Sequence, residues 1–255
     1  MNIPWTIRRQ LFFLFIFIVI IGIILFSLWY YVRKPTCFDN KQNQDEEGID
    51  CGGQCEKECI KKPDELIVLW SKSFKIRDDY YEAAALIENN NFSLGTDYIK
   101  YTFKLFNENN TLIAVRDGST FINPGERYLV LEPNIKTNGG IPKRTFIEFD
   151  MNGSKWKNIS QKPLKLIIKG KQFYQEISPR FSANIKNESL SDAEGVYVSV
   201  LLSDQQDNIK AVGSTKIDLI RNGESEDAFF TWPEGYDFEE ESPKSVILYR
   251  TNLTK

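Results

Sequence analysis

Residues Leu11 to Val32 carry no charged side chain, and the run closes at Arg33-Lys34. At roughly 1.5 Å of rise per residue, a helix over this run would be about 33 Å long, enough to cross the hydrocarbon core of a bilayer. A secretory signal peptide has a shorter apolar core followed by small residues at its cleavage site, and Phe26-Ser27-Leu28-Trp29-Tyr30-Tyr31 offers neither. The segment therefore reads as an uncleaved anchor. Lys34-Pro35-Thr36 ahead of Cys37 lacks the small apolar residues that precede an acylated cysteine, so lipidation is not expected. Trp29, Tyr30 and Tyr31 suit one membrane interface and Trp5 the other. Basic pairs flank both ends, Arg8-Arg9 and Arg33-Lys34, and leave the positive-inside rule tied. The cysteines break the tie. All four, Cys37, Cys51, Cys55 and Cys59, follow the apolar run closely, and that usage suits an oxidising compartment. The expected topology is single-pass in the cell membrane: residues 1–10 a cytoplasmic tail, 11–32 the transmembrane helix, and the carboxy-terminal bulk extracellular.

Composition removes several function classes. Lys and Arg total 32 against 35 Asp and Glu, a net charge of -3, so no global basic field is available to hold nucleic acid. Histidine is absent, which removes the usual general base of Ser and Cys hydrolases and the commonest ligand of catalytic zinc. No Gly-rich phosphate loop, glycosidase-type carboxylate pair or Ser-Lys dyad is visible. No catalytic residue is assigned, and an enzyme is not expected.

The stem, residues 35–60, is polar and too short for a hydrophobic core, so it needs cross-links to hold a shape. From Cys37 to Cys55 it resembles a short motif of secreted and surface proteins, C-x-D-x-x-x-N-x-D-E-x-G-x-D-C-G-G-x-C, with Asn40 where many members have Gly. Two disulfides among Cys37, Cys51, Cys55 and Cys59 are expected, and three pairings are open. Gly48, Gly52 and Gly53 suit tight turns. A zinc or iron–sulfur site is the rival reading, but the spacing lacks a C-x-x-C knuckle and the neighbouring acids disfavour clustered thiolates. Asp39, Asn43, Asp45 and Asp50 place hard oxygens close together, the ligand type calcium prefers, although their spacing is not that of an EF-hand. The plainer reading of the same residues is a solvated acidic loop. No other cofactor is called for.

From Leu66 onward, short stretches alternate apolar and polar residues between turn signals, the all-β pattern. Ile99, Tyr101, Phe103 and Leu105 share one face, and Val196, Val198, Val200 and Leu202 do the same further on. The two stretches sit in a repeat offset by about 97 residues, in which Asn123-Pro124-Gly125-Glu126 matches Arg221-Asn222-Gly223-Glu224. Phe103-Lys104-Leu105-Phe106-Asn107, then Leu112-Ile113-Ala114 and Pro124-Gly125-Glu126, resemble the FxLYD-type domain of prokaryotic surface proteins. The second copy, Val200-Leu201-Leu202-Ser203-Asp204, keeps the alternation and the final Asp but loses both aromatics. The resemblance implies a small β-sandwich with no catalytic residues. Asn107 and Asp204 are expected to bond to backbone amides and start turns.

The expected fold is thus an all-β ectodomain of two tandem antiparallel β-sandwich, immunoglobulin-like modules, 64–152 and 160–252, behind one N-terminal transmembrane α-helix. Trp156 lies between the modules and is expected to pack their joint, making a semi-rigid rod. Six sequons, at Asn91, Asn109, Asn152, Asn158, Asn187 and Asn252, are glycan acceptors on exposed loops in a host with the transferase, and turn chemistry otherwise. The acidic run Asp237-Phe238-Glu239-Glu240-Glu241 reads as a solvated loop, and Tyr80-Tyr81 as the start of a strand. The function expected is a non-enzymatic, membrane-anchored cell-surface protein that presents its sandwiches to a protein or glycan partner, with no nucleic acid involved. The alternative is a structural subunit of an envelope or secretion complex.

Overall fold

The computed structural model describes residues 4–32, 36–43, 45–57, 59, 62–175, 177–233 and 243–254. The chain divides into two compact units, Met1–Lys61 and Lys62–Lys255. Arg33-Lys34 and the acidic run at 237–241 lie outside the described residues.

In the first unit, α1 (Trp5–Val32) is one continuous helix. Its first turn closes on the Pro4 carbonyl, which accepts bonds from the amides of Ile7 and Arg8. Isoleucine, leucine and phenylalanine cover every side of it, with no polar stripe that would mark a helix lying against a soluble core. Over Trp5–Tyr30 the helix is long and apolar enough to cross a membrane, and its most apolar stretch is not buried. Cys37 pairs with Cys55 and Cys51 with Cys59, at Cα separations of 5.6 and 4.9 Å, which selects one of the three possible pairings.

The second unit is built from antiparallel strands. In chain order these are β1 (Ile67–Arg77), β2 (Tyr80–Glu88), β3 (Leu94–Phe106), β4 (Leu112–Ile122), β5 (Arg127–Lys136), β6 (Arg144–Phe149) and β7 (Lys157–Asn158). There follow β8 (Leu166–Tyr174), β9 (Arg180–Asn187), β10 (Ala193–Ser203), β11 (Ile209–Ile220), β12 (Ser225–Thr231) and β13 (Lys244–Arg250). The sheets run β1-β2-β5 and β4-β3-β6 in the first half, with β7 added to β3, and β12-β9-β8 and β11-β10-β13 in the second. The period-two alternation sets the layering. Ile99, Tyr101, Phe103 and Leu105 of β3 meet Tyr81, Ala83, Ala85 and Ile87 of β2 in one buried core. Val196, Val198, Val200 and Leu202 of β10 meet Phe181, Ala183 and Ile185 of β9 in a second. Each core is a sandwich of two sheets, stabilised by the apolar area it removes from water.

The turns between strands follow from short polar side chains. The Thr111 amide donates to Asn107 Oδ1 at 2.9 Å, and the Gln206 and Asn208 amides donate to Asp204 Oδ1 at 3.0 and 2.8 Å, as expected of both residues. Gly125 and Gly223 hold φ of 58° and 76° at corresponding turns, a region that glycine enters without a Cβ penalty.

β2 is buried on both faces. Ala83 and Ala85 enter the first core, while Ala84, with Phe74 and Leu129, forms a third apolar cluster with Leu201 and Val212 of the second sandwich. The sandwiches therefore pack sheet against sheet. Ala84 is fully buried between the two layers. Trp156, expected at the joint, is instead buried in the first core, 7% exposed. The segment after Ile159 is what leads into the second sandwich.

Candidate functional site

Hydrogen bonds tie the stem around its acids. The backbone amides of Asp39 and Asn40 donate to Asp50 Oδ1 at 3.0 and 3.1 Å, which knots the start of the loop to its end. Asp39 in turn accepts bonds from Asn43 Nδ2 at 3.0 Å and from the Lys41 amide at 3.0 Å. Desolvation pushes the Asp39 carboxyl up, but the bonds from Asn43, Thr36 and Lys41 outweigh it and hold the group below its ordinary value. Asp39, Asn43 and Asp50 are thus brought together, with the two carboxylates serving amides of the loop itself. Asp45 faces another way, its Oδ2 3.4 Å from Gln54 Nε2. Asn43 Oδ1 is a buried acceptor without a hydrogen-bond partner among the described residues. Glu46 lies within reach of Cys37 and Cys55, but those sulfurs are spent in a disulfide and offer no thiolate to a metal. Gly53 holds φ of 60°, and a Cβ there would fall 2.0 Å from the Asp45 carbonyl oxygen. A Cβ on Gly48 would touch the sulfurs of Cys51 and Cys59 at 3.0 Å.

A second constellation, silent in the sequence, lies where the two sandwiches meet. Arg250, at the end of β13, places its guanidinium 3.8 Å from the Phe121 ring centroid and 4.3 Å from that of Tyr128. It donates to the Phe121 carbonyl and pairs with Glu126 Oε2 at 3.2 Å, the two side chains 9% and 14% exposed. A stacked, planar cation of this kind is arginine's particular capability. Burial pushes the Glu126 carboxyl up against the pull of Arg250. Beside this pair, Asn123 Nδ2 donates to the Thr251 carbonyl at 2.8 Å and its Oδ1 accepts from the Leu253 amide at 3.0 Å. A cleft of about 350 Å³ opens here, lined by Glu126, Arg250 and Leu164 among others. In β2, burial alone pushes the Glu82 carboxyl up to about 7. Its Oε1 has no partner among the described residues.

Sequence signals for this junction are weak because every contact is long-range. A lone Arg near the carboxy terminus and an Asn before Pro-Gly read as surface and turn. Only the acidic Glu82 inside an otherwise apolar stretch, Tyr80 to Ile87, breaks its local pattern visibly.

No protein-family model matches the chain, and no curated protein matches it. Among solved structures, the crystal structure of red sea bream transglutaminase aligns with a TM-score of 0.26 and 10% identity over 77% of this chain. The chain spans 30% of that protein's length. What the fold itself defines is an all-β protein with one N-terminal helix able to cross a membrane.

Proposed function

We propose that this is a non-enzymatic, single-pass membrane protein whose helix is an uncleaved signal anchor and whose second unit stands outside the cell as an interaction scaffold. The observation that carries the reading is the sequence of parts along one chain: an unburied 26-residue apolar helix, a stem closed by two disulfides, then a β unit. Oxidised cysteines belong on the non-cytoplasmic side, so the amino terminus is cytoplasmic. Glu126 and Arg250 are paired with one another at the contact between sandwiches, which supports a structural rather than a catalytic role for them. The partner is a protein or a glycan rather than nucleic acid.

We further propose that the two sandwiches are copies of one FxLYD-type module. Supporting this, Asn89 and Asn187, 98 positions apart, are both fully buried and bonded alike. Asn89 Nδ2 donates to the carbonyls of Leu94 and Asn123, and Asn187 Nδ2 to those of Ser191 and Ile220. The amide of each donates to the carbonyl of Glu126 or Glu224.

A second reading, a structural subunit of an envelope or secretion complex, is favoured by the sheet edges: β4 and β11 each pair with one neighbour in their sheet, and an edge strand is a template for strand addition. Proximity labelling from the second unit in living cells separates the two. Recovery of foreign proteins or extracellular glycans supports the scaffold, and recovery of envelope-complex proteins alone overturns it in favour of the subunit.

A further inference from the structure

The six sequons are equivalent as text and unequal as chemistry. N-linked glycosylation needs the asparagine Nδ2 free to attack and the Ser or Thr two residues on within reach. Asn187 is fully buried, with Nδ2 donating to the Ser191 and Ile220 carbonyls at 2.8 and 3.0 Å. Asn91 is 8% exposed and its Nδ2 is held by the Asp64 carbonyl and Asn89 Oδ1 at 2.9 and 2.8 Å. A glycan on either would displace a side chain that the fold uses as an internal brace. Asn252 is half-buried and its Oδ1 is closed onto its own Thr254, at 2.8 Å from the amide and 2.6 Å from the hydroxyl. Asn158 lies within β7, paired to β3.

Two sequons remain. Asn109 is exposed at the tip of the β3–β4 hairpin, where the turn is held by Asn107 and leaves the Asn109 side chain without a partner among the described residues. Thr111, which completes its sequon, is exposed as well. Asn152 is exposed in the turn after β6, which Asp150 fixes by accepting from the Gly153 amide and the Ser154 hydroxyl at 2.9 and 2.8 Å. Both sit on backbone that is shaped without a bond from the asparagine side chain, so a sugar at Nδ2 displaces no brace of the kind that Asn91 and Asn187 supply.

We propose that Asn109 and Asn152 are the N-glycan acceptors of this protein, a reading that rests on the second unit lying outside the membrane. The co-substrate is an oligosaccharide carried on a lipid diphosphate. Nδ2 attacks C1 of the first sugar, the N–C1 bond forms and the C1–O bond to the diphosphate breaks. The lipid diphosphate leaves with that electron pair, and Nδ2 gives up one proton to the transferase. No oxidation state changes. Asn109 is the more fully occupied of the two, because the Ser154 hydroxyl must first release the Asp150 carbonyl.

The test is peptide mass spectrometry on the full chain isolated from its own cells, with external protease digestion of intact cells run in parallel. Glycan mass increments are expected on the peptides containing Asn109 and Asn152, lost in Asn109→Gln or Thr111→Val and in Asn152→Gln or Ser154→Ala respectively. Peptides containing Asn91 and Asn187 are expected bare. A bare peptide at Asn109 or Asn152 overturns the assignment of that position, and a glycan on Asn91 or Asn187 overturns the burial argument. If external protease cuts the second unit while both peptides are bare, the acceptor proposal alone fails. If the unit is protected and bare, the extracellular placement fails with it.

Discussion

Glu82 shows how one buried side chain can tie stability to pH. Alternation along β2 sets it on the same face as Ala84, the face turned to the second sandwich, and it is 8% exposed. Burial raises its carboxyl from the usual 4.5 to about 7, so the folded chain holds a proton that the unfolded chain has released. The stability this proton confers is fully present below about pH 4.5 and is lost as pH rises through about 7, at most ~3 kcal/mol in all. Denaturant titration of the chain should show stability falling between pH 5 and pH 8, and Glu82→Gln should flatten that fall and raise stability at pH 8. A wild-type profile already flat over this range would show that Glu82 is solvated. The sequence betrays Glu82 by its apolar neighbours, but it conceals Arg250. A guanidinium closed between Phe121 and Tyr128 owes its burial to residues more than a hundred positions away, and nothing local to Ser245–Thr251 marks it.

At the scale of elements, the strands most readable in advance are those whose environment differs between faces. β3 alternates because one face meets a core and the other is more exposed, and β10 does so from Ala193 to Tyr197 before Val198–Leu202 are buried on both faces; both form where the pattern places them. β2 is less readable, since burial on both faces replaces alternation with an alanine run. The stem acids were legible as a cluster. Their bonding to loop amides was not, because it depends on which cysteines pair. Asn89 and Asn187 look like polar loop residues, yet each is a fully buried brace across the end of its sandwich, donating to two backbone carbonyls. Replacing either by Ala strands those carbonyls, at a cost of about 1–3 kcal/mol. Asp should fare no better, because an ionised carboxylate cannot donate. Thermal melting should place Asn89→Ala and Asn187→Ala at similarly lowered midpoints. A loss at one position only would show that the two braces are not equivalent.

The two halves of the second unit meet at the third cluster, where Phe74, Ala84 and Leu129 pack with Leu201 and Val212. An apolar contact supported by a buried ion pair resembles a domain core more than a flexible joint. Val212, 1% exposed, should tolerate no charge: Val212→Asp should cost several kcal/mol, and hydrogen exchange should show β3 and β10 losing protection together. Protection of β3 left intact would mean that the first sandwich stands alone. Above this lies the placement of the unit itself, on which the scaffold reading turns. Intact cells expressing the full chain with a carboxy-terminal epitope should lose the second unit to a protease added outside, leaving a membrane-bound stub containing Trp5–Val32. Full protection of the epitope in intact cells, with digestion only after lysis, would contradict the account.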